Sequence, residues 1–257
     1  MKTKTLGFIG GGRITRILLQ AFKNENVSFD NIVVYDLNPE PAANLQNQFP
    51  SIVISDLEQA ASQDILAIAL HPPVIMEMLN KIQPFVSEET ILLSLAPKIT
   101  VEKISEKLGN VARILRLIPN ATSIINEGYN PVCFSPGIEA ADKQSLLQML
   151  ESLGKTFEVP ESQLEAYAVI SAMAPTYFWF QWKKLCDIGE QVGLEKEASE
   201  QAVSQTMNAA LNTMFKSGLS WDEVSDLIPV KPIGEYEEEI MKMFEQKLVG
   251  LYNKISS

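Results

Sequence analysis

The 257-residue sequence contains only two cysteines, Cys133 and Cys186, and a single histidine, His71. The cysteines are far apart and form no CxxC arrangement, and a chain of this length does not need a disulfide for stability. Two reduced thiols in a cytoplasmic protein are therefore predicted. The acid-rich run at residues 235–239 has no histidine or cysteine beside it, so it is interpreted as the solvated first turn of a helix, and no metal site is predicted.

Positive charge and long hydrophobic runs are also scarce. The chain has 21 lysines and arginines against 32 aspartates and glutamates, a net charge of -11, which repels nucleic acids and anionic lipids as partners. The uncharged run at residues 166–182 only reaches the lower limit for a bilayer span and contains Pro175, which favours a buried helix. The apolar residues before Gly10 are too few for the core of a signal peptide. No membrane partner is expected.

The first 160 residues alternate apolar runs with helical patterns, and these apolar runs are continuous, as in strands buried on both faces of a parallel sheet. After Pro160 only helical patterns follow, at residues 162–192, 196–216 and 236–255. The predicted strands are residues 5–9, 31–35, 52–54, 64–70, 91–96 and 112–118, and the helices between them are residues 14–22, 41–49, 74–82 and 101–108. The predicted class is α/β, with a mainly parallel sheet at residues 1–160 and an all-helical domain at residues 161–257.

A glycine-rich segment at residues 10–14 follows the first predicted strand and opens the first helix. Gly10 allows a tight turn, and Gly12 lets the backbone approach a pyrophosphate that the helix N-terminus then binds. The third glycine position is Thr15, which is small enough for close packing of the helix on the strand. This context favours a Rossmann dinucleotide-binding domain over a glycine-rich turn without a ligand.

The second predicted strand ends at an acid, Asp36. A carboxylate at this position accepts hydrogen bonds from the adenosine ribose hydroxyls and repels a 2′-phosphate, which favours NAD. Arg13, one step past Gly12, could neutralise a phosphate instead. The choice between NAD and NADP therefore stays open at this point.

Further motifs occur in a fixed order: LHP at residues 70–72, SLAPKIT at 94–100, RLIPN at 116–120, NEG at 126–128, SAMAPTY at 171–177 and QT at 205–206. From residue 6 to about residue 226, their order and spacing resemble the pyrroline-5-carboxylate reductases. The corresponding family motifs are GFIGxGNM, VKP, SxAAGI, RxMPN with a later EG, SGSGPAY and QT.

The resemblance implies a Rossmann domain that holds NAD(P)H and a helical domain, similar to that of 6-phosphogluconate dehydrogenase, which interlocks with a second subunit and completes the active site. It implies hydride transfer to the C=N carbon of a small cyclic imine, in a homodimer or higher homo-oligomer. The apolar run at residues 166–182 also favours burial against a second copy of the chain. Together with the residue patterns, the resemblance assigns cofactor contacts to Gly10, Gly11, Gly12, Arg13, Ile14, Asp36, Leu70, Pro72 and Ala96, substrate contacts to Asn120, Glu127, Ser171 and Lys231, and catalytic roles to His71 and Thr176.

The sequence departs from the family pattern at three places. Every glycine of SGSGPAY is replaced at residues 171–177, the hydroxyl pair of the family's substrate loop is missing at residues 229–235, and His71 stands where the family has lysine. A site that has lost its hydrogen-bonding partners discriminates strongly against the original substrate. Turnover of pyrroline-5-carboxylate itself is therefore expected to be absent or much reduced.

Two other functions remain as alternatives. One is a different Rossmann reductase, such as a deazaflavin-linked NADP oxidoreductase. The other is a non-catalytic nucleotide-binding protein that has lost its substrate loop. For His71, the alternative to a general acid is a strand-end residue that packs against the cofactor without transferring a proton.

Overall fold

The computed structural model describes residues 4–109 and 111–256. The strands are β1 (Leu6–Ile9), β2 (Ile32–Tyr35), β3 (Val53–Ile54), β4 (Ile65–Ile68), β5 (Ile91–Ser94), β6 (Ile114–Leu117), β7 (Gly128–Phe134) and β8 (Gly154–Glu158). The α-helices are α1 (Arg13–Asn24), α2 (Pro39–Gln48), α3 (Leu57–Ala61), α4 (Pro72–Ile82), α5 (Val101–Lys107), α6 (Ala140–Leu150), α7 (Leu164–Tyr167), α8 (Pro175–Gln191), α9 (Lys196–Lys216), α10 (Trp221–Asp226) and α11 (Glu237–Ser256). Short 3₁₀ helices cover Gln83–Phe85, Ala121–Ile125, Glu151–Leu153, Glu161–Gln163 and Gly234–Tyr236, and a π-helix covers Ala168–Ala172.

All eight strands form one sheet in the order β3-β2-β1-β4-β5-β6-β7-β8. Strands β1 to β6 are parallel, β7 is antiparallel to β6, and β8 is parallel to β7. The strand order reverses between β1 and β4, and in such sheets ligands bind outside the carboxyl ends of the strands at this switch point. The predicted α/β class, with an N-terminal Rossmann sheet followed by a helical part, is confirmed.

The central strands are buried at every position, which explains their continuous apolar sequences LGFI, ILAI and ILLS. Side chains that point to opposite faces of the sheet belong to two separate hydrophobic clusters. Phe8 of β1 lies in one, with Leu18 of α1, whereas Ile9 lies in the other, with Ile75 of α4. Helices on both faces therefore cover the sheet and fix the carboxyl ends of its strands.

No individual elements were predicted between residues 119 and 160. In the structure, this segment contributes β7 and β8 to the sheet, with α6 between them in the chain. The Asn130-Pro131 pair in the middle of β7 is typical of a turn, which obscures the strand in the sequence. In the structure, the buried Asn130 side chain accepts from the backbone N–H of Asn120 at 3.0 Å and donates to the carbonyl of Leu153 at 3.2 Å. These bonds satisfy a polar side chain within the sheet.

The helical pattern predicted at residues 162–192 is divided in the structure into several helical segments. The chain runs from α7 into the π-helix, in which Met173 N–H donates to Ala168 O at 3.1 Å, and α8 begins only at Pro175. Proline has no backbone N–H, so it is tolerated at the first position of a helix and interrupts a helix that would continue through it. Helix α10 was also not predicted; a capping box between Ser220 and Glu223 starts it.

The described residues form two compact units. The first comprises the chain up to Met173 together with the segment from Tyr252 onward, and the second is Ala174–Leu251. Residues after Pro160 belong to the first unit because Leu164 and Ala168 are buried in a cluster that also contacts Ile255. A separate domain at residues 161–257 stays a prediction. No helix within the described residues is long and apolar enough to cross a membrane.

Candidate cofactor and substrate site

The glycine-rich segment forms a strand–turn–helix junction between β1 and α1. Gly10 has a φ of +110°, and a Cβ on it would lie 2.5 Å from Ala69 O, so a side chain is excluded there on both grounds. Its N–H donates to Tyr35 O at 2.8 Å, and its carbonyl accepts from the Thr15 hydroxyl at 2.6 Å. The buried Thr15 thus replaces the third glycine of the motif by bonding to the turn.

Gly12 is the N-cap residue of α1 and faces open space. Apart from its chain neighbours, no described atom lies within 4 Å of the position that a Cβ on Gly12 would occupy. The N-terminus of a helix offers unpaired backbone N–H groups and a positive dipole end to an anion. The space above Gly12 therefore fits the pyrophosphate of a dinucleotide.

Two cavities meet at Gly12 and Arg13, and both lie within the first unit. One has a volume of about 390 Å³ and is lined by Gly12, Arg13, Ile14, Ile17, Ala69, Leu70, His71, Pro72, Leu95, Ala96, Pro97, Ile118, Pro119, Ala121, Ala168, Ala172 and Met173. We name it the β4–β5 cavity. The other has a volume of about 630 Å³ and is lined by Gly11, Gly12, Arg13, Arg16, Glu40, Pro41, Asn44, Leu45 and Gln48. We name it the α2 cavity.

The β4–β5 cavity is mostly apolar. Among the described residues that line it, Arg13 and His71 carry the titratable side chains. His71 is the N-cap residue of α4 and is exposed. The residues lining this cavity include four predicted cofactor contacts: Ile14, Leu70, Pro72 and Ala96. These four residues come from α1, the chain after β4, the start of α4 and the chain after β5, so the carboxyl ends of neighbouring strands bring them together.

Asp36 connects the end of β2 to the glycine turn. One carboxylate oxygen accepts from Gly11 N–H at 2.7 Å, and the other accepts from Asn38 N–H at 2.9 Å. An ionised carboxylate has about four acceptor positions. Asp36 therefore holds the turn in place and retains acceptor capacity for hydroxyl groups.

Three predicted substrate contacts are placed differently. The buried Asn120 donates from its amide to Ser171 O at 3.1 Å, and its amide oxygen accepts from Thr122. Ser171 donates its hydroxyl to Tyr167 O at 2.8 Å, and Glu127 is exposed. None of the three is among the described residues that line the β4–β5 cavity. Asn120 instead holds the π-helix segment, and substrate contact by these residues stays a prediction.

Thr176 and Lys231 belong to the second unit. Thr176 lies in the first turn of α8, and Lys231 donates from its ammonium group to Ser225 Oγ at 2.8 Å on an exposed surface. Their predicted catalytic and substrate-binding roles stay predictions.

A buried ion-pair network next to the β4–β5 cavity was not predicted. The Arg116 side chain is 1% exposed, and it donates to Glu161 and Glu165, each at 2.7 Å. Glu165 also accepts from Lys98 N–H at 2.9 Å, and Glu161 from Val101 N–H at 2.8 Å. Burial opposes the charge on Arg116, but hydrogen bonds to both glutamates outweigh it and raise its pKa. The signal in the sequence was an arginine inside an apolar strand.

The network joins the two segments that form opposite parts of the cavity lining. Lys98 follows Ala96 and Pro97 after β5, and its φ of +76° is unusual for a residue with a side chain. Glu165 lies at the start of the segment that continues to Ala168 and Ala172. The ion pairs therefore fix the β5 loop relative to the π-helix.

The two cysteines are free thiols. Burial raises the pKa of Cys133 to about 11, so this thiol stays protonated near neutral pH and is a poor nucleophile. Within the described residues, no group of three or more histidines, cysteines and acids could hold a metal ion.

Comparison with known proteins places this site in context. The family model of NADP oxidoreductase, coenzyme F420-dependent, matches residues 5–98. Pyrroline-5-carboxylate reductase of Pseudomonas aeruginosa is 24% identical over 219 residues, which cover 84% of this chain and 80% of that protein. The enzyme of Corynebacterium melassecola is 23% identical over 252 residues, covering 96% and 93%.

Among solved structures, pyrroline carboxylate reductase of Plasmodium falciparum with NADP bound superimposes with a TM-score of 0.81 at 24% identity, covering 100% of this chain and 97% of that one. The resemblance to the pyrroline-5-carboxylate reductases is confirmed. It extends over nearly the whole chain, whereas the oxidoreductase model covers only the part from β1 to the β5 loop. At this level of identity, the structural likeness to these reductases establishes the fold.

Proposed function

We propose that the protein is an NAD(P)H-dependent oxidoreductase that transfers a hydride to the C=N carbon of a small cyclic imine. The observation that carries this proposal is the pair of cavities that meet at Gly12, at the switch point of the sheet. One cavity suits the nicotinamide and the substrate, and the other suits the adenosine. The relatives named above are pyrroline-5-carboxylate reductases, and one of them binds NADP. The proposal includes a cytoplasmic location.

Each part of the turn has a defined role in holding the cofactor. The N–H groups at the start of α1 would bind the pyrophosphate, Asp36 would accept from the adenosine ribose, and Leu70, Pro72 and Ala96 would contact the nicotinamide. The bound cofactor supplies the hydride. The β4–β5 cavity is lined mostly by apolar side chains, which lowers the local dielectric and strengthens electrostatic contacts to a bound imine.

His71 is the proposed proton donor to the imine nitrogen. It and Arg13 are the titratable groups lining the cavity, and a guanidinium does not release its proton near neutral pH. A ring nitrogen of His71 therefore donates to the substrate nitrogen as a general acid. His71→Asn, which preserves a polar side chain but cannot titrate, should lower kcat by about 10²-fold or more and leave the Kd of the reduced cofactor unchanged.

Turnover of a panel of cyclic imines, followed by the absorbance of NADH and NADPH, tests the proposal. Pyrroline-5-carboxylate should be a poor substrate, because Ala172 and Met173 line the cavity where the family motif has a glycine and a serine, and the substrate loop has lost its hydroxyl pair. Robust turnover of pyrroline-5-carboxylate would refute this part. Binding of reduced cofactor without turnover of any imine would favour the non-catalytic alternative, and reduction of a deazaflavin would favour the other reductase class.

A homodimer formed by the helical second unit is part of the proposal. This unit exposes large apolar side chains, including Phe180 at 67% and Phe215 at 72%. Closed two-fold dimers commonly bury such surfaces. Sedimentation velocity should give a dimer or larger assembly at micromolar concentration, and Phe180→Glu should shift it towards monomer. A wild-type monomer would contradict the prediction.

A further inference from the structure

Two arginines on α1, Arg13 and Arg16, form no side-chain hydrogen bond within the part of the chain that the structure describes. Arg13 is the first residue of α1, and Arg16 lies three residues later, so both side chains leave the same side of the helix. Both are exposed, and within residues 4–109 and 111–256 neither forms an ion pair. Cations near a helix N-terminus oppose its dipole, and α1 has no acid in its first turn to offset them. An anion bound near the helix start would offset both the two cations and the helix dipole.

The two arginines differ in the cavities that they line. Arg13 lines both the β4–β5 cavity and the α2 cavity, where the pyrophosphate would pass from one to the other. Arg16 lines only the α2 cavity, on the adenosine side. Arg16 is therefore the arginine on the side assigned to the adenosine, where a phosphate on the adenosine ribose would lie.

The adenosine side is also where Asp36 lies. Its carboxylate is directed at the glycine turn, with Oδ2 3.5 Å from the position of a Cβ on Gly11. Its two bonds to backbone N–H groups hold it there. The acid lining the α2 cavity itself is Glu40, whose N–H donates to Asn38 Oδ1 at 3.1 Å as α2 begins. Ribose hydroxyls and a phosphate on the same ribose can thus meet different groups.

We propose that Arg16, assisted by Arg13, binds the 2′-phosphate of NADPH in the α2 cavity, so that the protein accepts the phosphorylated cofactor in spite of Asp36. The inference rests on the proposed function, because it assumes a dinucleotide in the site. A guanidinium presents a planar pair of donors that matches two phosphate oxygens. The phosphate in turn supplies the negative charge that the start of α1 lacks.

Calorimetry with two cofactor fragments tests the inference without catalysis. The probes are ADP-ribose and 2′-phospho-ADP-ribose, and the proteins are the wild type, Arg16→Gln and, as a control with the same charge change at the other end of α1, Lys23→Gln. Arg16→Gln should weaken 2′-phospho-ADP-ribose at least about tenfold and change the affinity for ADP-ribose by less than threefold. Lys23→Gln should leave both affinities unchanged.

The outcomes separate this inference from the proposed function. If Arg16→Gln weakens both fragments equally, or neither, while the wild type binds ADP-ribose, the assignment of Arg16 is overturned and the dinucleotide site stands. If the wild type binds neither fragment, the proposed function fails together with the inference. Circular dichroism of each variant checks that a lost affinity does not reflect a lost fold.

Discussion

Arg116→Met removes the cation that the described residues contribute to the network joining the β5 loop to the π-helix segment. The substitution keeps an unbranched side chain of similar length in a site that is 1% exposed. Glu161 is 35% exposed and can be hydrated, but Glu165 is 11% exposed and keeps only the N–H of Lys98 as a donor among the bonds described. The variant therefore buries one poorly compensated carboxylate.

Breaking a buried ion pair by removing one partner costs about 3–5 kcal/mol. Because Glu161 can be hydrated, the lower end of this range, about 3 kcal/mol, is expected for Arg116→Met. Arg113→Met is the matched control, since Arg113 pairs with the 93% exposed Glu89 and with Asp142, and the expected cost there is about 1 kcal/mol. Adding Glu165→Gln to Arg116→Met removes the orphaned charge and should recover at least half of the loss.

Urea unfolding followed by circular dichroism measures these free energies. Arg116→Met should also bind NADH and NADPH more weakly than the wild type does, because the network fixes two parts of the cavity lining. Arg113→Met should not. The reasoning is refuted if Arg116→Met is no less stable than Arg113→Met. It is equally refuted if the double variant is as unstable as Arg116→Met alone.

Two further predictions concern the turn and an ion pair of the first unit. Gly12→Val should abolish binding of NADH and NADPH in calorimetry without lowering Tm, because its Cβ would point into open space. Gly10→Ala should lower Tm, because its Cβ would lie 2.5 Å from Ala69 O. A Gly12→Val protein that binds normally would exclude the turn as the pyrophosphate site. A hydrogen bond from Lys4 holds the pKa of Asp142 below its ordinary value, so Asp142 contributes stability above about pH 3.9 that is lost as the pH falls through the folded value. Asp142→Asn should lower Tm at pH 7 but not in strong acid; an equal deficit at both would contradict this origin.

The cofactor half of the fold was predictable because its signals are local. A continuous apolar strand, a glycine turn and a helix start occupy adjacent residues, and Gly10, Thr15 and Asp36 take the places that the pattern implies. The sheet order then brings the ends of β4 and β5 to the turn. Leu70 and Ala96 were assigned to the cofactor by the family resemblance, and both line the β4–β5 cavity.

The remaining features depend on contacts between distant residues. Asn130 is typical of a turn by residue type, and its side-chain bonds to Asn120 and Leu153, 10 and 23 positions away, hold it within β7. Arg116 pairs with Glu161 and Glu165, which lie 45 and 49 positions later in the sequence, so no local pattern reveals the pairing. Asn120 was predicted as a substrate contact from a family motif, and the hydrogen bond from its amide to the backbone of Ser171 is likewise a contact between distant residues that the motif does not reveal.

The return of the chain to the first unit has a consequence for protein synthesis. Lys254 O accepts from the Lys98 ammonium group at 3.3 Å, and Ile255 packs on the cluster around Leu164. Translation delivers these residues after all of Ala174–Leu251. Domains generally fold in order from the N-terminus as they emerge from the ribosome. The first unit of this protein, however, acquires its last contacts only after the second unit has been synthesised. Ribosome-bound chains that stop before Tyr252 should accordingly be more sensitive to protease in the first unit than released chains.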